Sequence, residues 1–166
     1  MANVDWPHGF KFAYTTHGGP PQITKYLSTA AKIFPGDYVK KDGSGRVLAV
    51  TAVADNGIGV AASYCPATAG SDIYVYDDLA NTVFECQADD ATLANDTQNG
   101  NFFDIIVTTG DTTTLQGKQE LDGDASAEDT LVLVGIYDVP NNAWGANVRV
   151  YVQFRVDANA TVIATT

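Results

Sequence analysis

The 166-residue sequence predicts a mainly β fold, a small barrel or sandwich with an extended N-terminal arm and at most one or two short helices. Three observations predict it. Short runs rich in Val, Ile, Tyr and Phe recur along the chain, separated by Gly-, Asn- and Asp-containing turns. Residues 1–22 are dense in helix breakers (Trp6-Pro7, Gly18-Gly19, Pro20-Pro21), while Phe10, Phe12 and Tyr14 alternate with Lys11 and Ala13. The hydrophobic fraction of 45% excludes a disordered chain. The expected organisation is an extended arm over residues 1–27 followed by one mainly β domain over residues 28–166.

Taken in order, the arm shows period-two alternation with one apolar face, so it must lie on its own domain or on a neighbour. Tyr38-Val39-Lys40 and Arg46-Val47-Leu48-Ala49-Val50 flank Asp42-Gly43-Ser44-Gly45, which reads as a hairpin. Asn56-Gly57 turns the chain into Ile58-Gly59-Val60-Ala61-Ala62. Ile73-Tyr74-Val75-Tyr76 and Thr82-Val83-Phe84-Glu85-Cys86-Gln87 read as two strands joined by a hairpin-type turn at Asp77-Asp78-Leu79-Ala80-Asn81. Ala88 to Asn95 suits one short helical turn, Phe102 to Thr108 a further strand, and Thr109 to Asp129 a long surface loop. Thr130 to Tyr137 is apolar on both faces and should be central. Val148 to Val156 alternates, so one side should be wet.

Charge narrows the choice of partner. The chain carries a net −11, unevenly spread. Residues 1–50 hold six of the nine bases against three acids, and the rest holds 17 acids against three bases. Most of such a surface repels a phosphate backbone, so nucleic acid is not expected as a partner. No apolar run reaches the roughly eighteen residues of a membrane-spanning helix, and no membrane partner is expected. The opening residues lack a basic region followed by an apolar stretch, which predicts synthesis in the cytoplasm. Cys65 and Cys86 form neither a disulfide framework nor a zinc set. Two buried thiols or one bridge both fit the spacing.

The residues that could carry chemistry do not form a recognisable catalytic pattern. His8 and His17 both lie in the Gly/Pro-rich arm, a poor place to hold a general base rigidly. Asp122-Gly123-Asp124-Ala125-Ser126 begins like a calcium loop, but Ala127 and Leu133 stand where that loop needs Gly and Glu. Asp77-Asp78 and Asp89-Asp90 are adjacent pairs that point to opposite faces of a strand and cannot converge on one bond. The sequons at Asn95 and Asn159 matter only after secretion. Trp144 reads as a turn-capping core residue or as a ligand-stacking aromatic. No catalytic residue, metal or cofactor is expected.

The arm is left as the candidate contact. Burying its four aromatics (Trp6, Phe10, Phe12, Tyr14) would contribute on the order of 15–25 kcal/mol gross. Ordering the segment costs a comparable sum, at about 1–2 kcal/mol per residue. One arm alone is marginal, and several acting together suit a multivalent clamp.

Val4-Asp5-Trp6-Pro7-His8-Gly9-Phe10 resembles the opening of a family of phage virion proteins that begin Asn-Val-Asp-Ala-Pro-Phe-Gly-Phe or similarly. Ile33-Phe34-Pro35-Gly36-Asp37-Tyr38-Val39, Gly57-Ile58-Gly59-Val60, Val75-Tyr76-Asp77-Asp78, Phe84-Glu85-Cys86-Gln87-Ala88-Asp89, Leu121-Asp122 and Pro140-Asn141-Asn142-Ala143-Trp144-Gly145 follow in that family's order. The resemblance implies a decoration or cement protein on the outer surface of a tailed-phage capsid, bound to the major capsid protein and assembled with itself as a homotrimer. Trp6 and His8 depart from the family's usual Ala and Phe. The expected contact residues are Trp6, Phe10, Phe12 and Tyr14 as anchors, with Lys11, Lys25 and Tyr26 beside them. The alternative function is recognition of a host glycan through the acidic loops and Trp144.

Overall fold

A computed structural model describes residues 3–89, 93, 95–124 and 127–156. Among these residues, eleven strands form two antiparallel sheets. The first has six strands in the order β1 (Lys11–Thr15), β7 (Thr82–Gln87), β11 (Arg149–Phe154), β10 (Leu131–Ile136), β8 (Phe102–Ile106) and β9 (Glu120–Asp122). The second has five, in the order β2 (Ile23–Leu27), β6 (Asp72–Tyr76), β5 (Gly59–Ala61), β3 (Tyr38–Lys41) and β4 (Val47–Ala49). The arrangement is consistent with a sandwich. No closed barrel forms among the described residues, where β9 returns to the end of β7 through a single bridge, Leu121 to Ala88.

The principal core lies between the sheets, with Phe154 at its centre. Phe10 meets Phe154 edge-on at 4.9 Å, Tyr38 stacks on it at 4.3 Å, and Phe84 meets it at 5.7 Å. One ring thus joins the N-terminal segment, the second sheet and β7. A smaller cluster of Ile33, Val39, Val47, Ala61, Cys65, Ile73 and Val75 packs on the second sheet. Cys65 sits in this cluster and Cys86 in the principal one, both as free buried thiols, which excludes the bridge left open by their spacing.

Several elements form where the pattern places them. The β3–β4 hairpin is held by the Asp42 carboxylate, which accepts from the backbone N–H groups of Ser44 and Arg46 at 2.9 and 2.8 Å. β10 is central, between β11 and β8, with Leu131 and Leu133 buried. β11 alternates between buried and half-buried positions.

Three expectations are corrected. Among the described residues, 3–27 do not form an extended arm apart from the β domain: β1 pairs with β7 and β2 with β6, so each closes one edge of a sheet. β6 and β7 do not form a hairpin, because residues 77–81 carry the chain from one sheet to the other. All six β7 positions are buried, since β1 and β11 flank it and other segments cover both faces. The stretch 109–129 is not one loop; it contains β9 and an Asp111–Gln116 bridge. Leu121 is the only apolar residue of that three-residue strand, too little to show alternation. The short helical turn expected over Ala88 to Asn95 falls largely on residues outside the described ones; a 3-10 turn is described at Asp96–Gln98. Asn95 caps it, accepting from the Thr97 backbone N–H. Most of residues 90–94, including Asp90, and the Asn159 sequon lie outside the described residues.

Candidate functional site

The N-terminal residues are fastened to the outer face of the six-stranded sheet by polar side chains, of which Gln87, Glu85 and His8 are buried. Asn3 donates to the carbonyls of Ala143 and Ala146 at 2.7 and 2.8 Å and accepts from the Ala143 N–H at 3.1 Å. Gln87, on β7, donates to the Val4 carbonyl at 2.7 Å and the Asn147 carbonyl at 2.9 Å, and accepts from the Trp6 N–H at 2.7 Å. Every polar position of this buried amide is matched, as burial requires.

His8 continues the fastening. Its Nδ1 donates to the Trp6 carbonyl at 2.9 Å, and its Nε2 faces both oxygens of Glu85 at 2.9 and 3.0 Å. Arg149 on β11 donates from Nε to Glu85 at 2.7 Å and lays its guanidinium over the Tyr137 ring at 4.6 Å. Burial works to raise the Glu85 carboxyl, but the bonds from His8 and Arg149 outweigh it and hold it below the usual carboxylate range. A His–Glu pair resembles part of a hydrolytic triad. Here both ring nitrogens face acceptors, so neither is left to take a proton from a nucleophile. The pair is a clasp.

Removing the acid should open the clasp. Glu85→Ala leaves His8 and Arg149 without their buried partner and is expected to destabilise the fold by about 3–5 kcal/mol, read from the urea midpoint at neutral pH. A loss under about 1 kcal/mol would show that the three groups do not act together.

Pinned in this way, the segment holds two apolar side chains out in water: Val4 is 73% exposed and Trp6 63% exposed. Beside them is an open cavity of about 390 Å³ lined by Val4, Trp6, Lys11, Pro140, Asn141 and Arg149, among others. Tyr14 (42% exposed) meets Tyr151 edge-on at 5.6 Å, and Tyr151 meets Tyr137 at 5.2 Å. Trp6 and Lys11 therefore share a face with Tyr14, linked by the row Arg149–Tyr137–Tyr151.

The other expected contact residues lie elsewhere. Phe10 is 1% exposed and belongs to the chain's own core, so it is not available to a partner. Its N–H donates to the Gly36 carbonyl at 2.9 Å. Gly9 precedes it at φ +69, where an added Cβ would come within 2.8 Å of that same carbonyl oxygen. Phe12 is half-buried and stacks on Tyr76 at 5.5 Å. Lys25 and Tyr26 stand on β2, in the other sheet. Lys25 is exposed and pairs with Asp72 at 3.3 Å. The Tyr26 hydroxyl donates to Asp77 at 2.9 Å; partial burial and that carboxylate push it up to about 12.

Trp144 is partly buried and packs against the principal core, the turn-capping role of the two read from the sequence. Asp78 accepts from the Asn81 side chain, and Asp122 accepts from the Asp124 N–H at 3.3 Å; both are local turn contacts. Sequence reasoning missed Glu85, Gln87 and Arg149. They alternate with Phe84, Cys86 and Val150, and outward polar residues on a strand read as solvated. The only hint was that two of them fall on a strand otherwise apolar enough to be central.

Comparison of the chain with family models, curated proteins and solved structures returned no match.

Proposed function

We propose that this chain is a non-enzymatic decoration protein of a tailed-phage head, bound to the outer capsid surface as a homotrimer and tying together subunits of the major capsid protein. The succession of sequence blocks from Val4 to Gly145 supports the class. The observation that carries the docking role is Trp6, whose indole is exposed while its backbone N–H and C=O are both fixed, by Gln87 and His8. An exposed aromatic on a fixed backbone has less entropy to lose on binding and makes an effective interface anchor.

The size of the contact argues for several copies. With Phe10 and Phe12 packed at home, Val4, Trp6 and Tyr14 are the exposed large apolar side chains that residues 3–15 leave to a partner. Burying one indole contributes on the order of 4 kcal/mol, no more than the low end of the rotational and translational cost of association. Linked copies on a lattice overcome that cost by effective concentration.

The test is binding to heads prepared from phage deleted for this protein. Trp6→Ala is expected to weaken decoration at least tenfold, the effect of losing an anchor worth about 2 kcal/mol. Stability should stay within about 0.5 kcal/mol of the parent chain. Full decoration by that variant would sink the reading, and a sedimentation measurement checks the trimer.

A further inference from the structure

We infer that the cavity beside Trp6 receives a carboxylate-bearing side chain of the partner polypeptide, an acidic residue with an apolar neighbour. The inference rests on the docking role proposed above and specifies its chemistry.

Most polar groups around the cavity already have partners. Asn3 and Gln87 are used in fastening the segment, and Asn142 donates to the Tyr137 and Arg149 carbonyls and accepts from the Arg149 N–H. Besides the side-chain amides of Asn141 and Asn147, the groups that remain are cationic. Lys11 is exposed and makes no ion pair among the described residues. Arg149 gives its Nε to Glu85, and among the described residues its two terminal nitrogens donate to no other side chain. Glu85, the acid paired across from Lys11 in the β1–β7 register, is 4% exposed and already engaged by His8 and Arg149. The lysine charge is therefore unspent, on a chain whose net charge is −11.

The walls select among anions. Val4, Trp6, Val139 and Pro140 offer apolar surface next to the two cations. That combination suits a carboxylate on an aliphatic stem, which lays its methylenes against the indole and its oxygens toward Lys11 and Arg149. A phosphate brings more negative charge and no apolar stem, and a chain of net charge −11 repels it more strongly.

Head binding by charge variants tests the inference. Lys11→Glu is expected to lose about tenfold in affinity, the scale of one charge-assisted hydrogen bond, and Lys11→Arg to keep it. A thermal melt beside each assay shows that the variants are folded, and Lys11→Ala serves if the reversal is not. Nitrogen–proton correlation spectra supply a second measurement on the folded wild-type chain. Acetyl-Leu-Glu-amide should shift the Trp6 indole resonance at concentrations where acetyl-Leu-Gln-amide and inorganic phosphate do not. If Trp6→Ala loses head binding while Lys11→Glu keeps it, the carboxylate inference is overturned and the docking role stands. If both variants bind as the parent does, both fall. Equal shifts from the two dipeptides, or larger shifts from phosphate, also overturn it.

Discussion

Phe10→Ala is expected to destabilise this protein by about 3–5 kcal/mol, although Phe10 stands only ten residues from the N-terminus, in a segment that reads as an arm. Its ring is buried against Phe154, which also carries Tyr38 and Phe84, so truncation opens a cavity where the two sheets meet. The surrounding backbone cannot close that cavity readily. The Phe10 N–H is bonded to Gly36, and Gly9 and Gly36 pass too close for a side chain at Gly9. Urea denaturation of Phe10→Ala and Trp6→Ala side by side is the informative measurement. A large loss in the first and almost none in the second would separate folding from docking within five residues. Near-equal stabilities would mean that the N-terminal segment is not part of the core.

The second large effect concerns pH and runs against the usual acid denaturation. Asp37 is 2% exposed, and one of its oxygens has no hydrogen-bond partner among the described residues. Burial pushes its carboxyl up to about 7, opposed only in part by the Phe34 N–H that donates to the other oxygen at 2.9 Å. The unfolded chain releases that proton near 3.8. Between about pH 4 and 7 the native state therefore binds a proton that the unfolded state has lost. Stability falls as pH rises through this window and levels off above it. At about 1.4 kcal/mol per unit, the change is on the order of a few kcal/mol.

Glu120 adds to the same trend. Partial burial, with the charges of Asp5 and Asp89, pushes it up to about 7 as well. Glu85 acts in the opposite sense at lower pH, since its lowered carboxyl contributes stability that is lost only as pH falls through its folded value. Asp37→Asn keeps an acceptor for Phe34 and removes the titration. Its urea midpoint should vary less between pH 5 and 7 than that of the wild type, and adding Glu120→Gln should flatten it further. An unchanged slope in Asp37→Asn would show that Asp37 is ionised throughout.

The mainly β class, the β3–β4 hairpin, the central place of β10 and the one-sided wetness of β11 are legible in the amino-acid pattern. Each depends on contacts local in the chain: turn residues that admit one backbone geometry, and alternation that a flat strand preserves. Tertiary structure decided the rest, and β1 shows why. Phe10, Phe12 and Tyr14 are evenly spaced and predict one shared face. The register of β1 against β7 slips between Phe12 and Tyr14, and that extra residue moves Tyr14 to the outer face, beside Tyr151, while Phe12 points toward Tyr76. Glu85 makes the same point from the other side. Nothing in its strand pattern on β7 names a partner, yet residues 3–8 cover it and His8, 77 positions away, becomes its partner. Alternation records which residues face together, but not what later lies over that face, because the covering segment comes from a distant part of the chain.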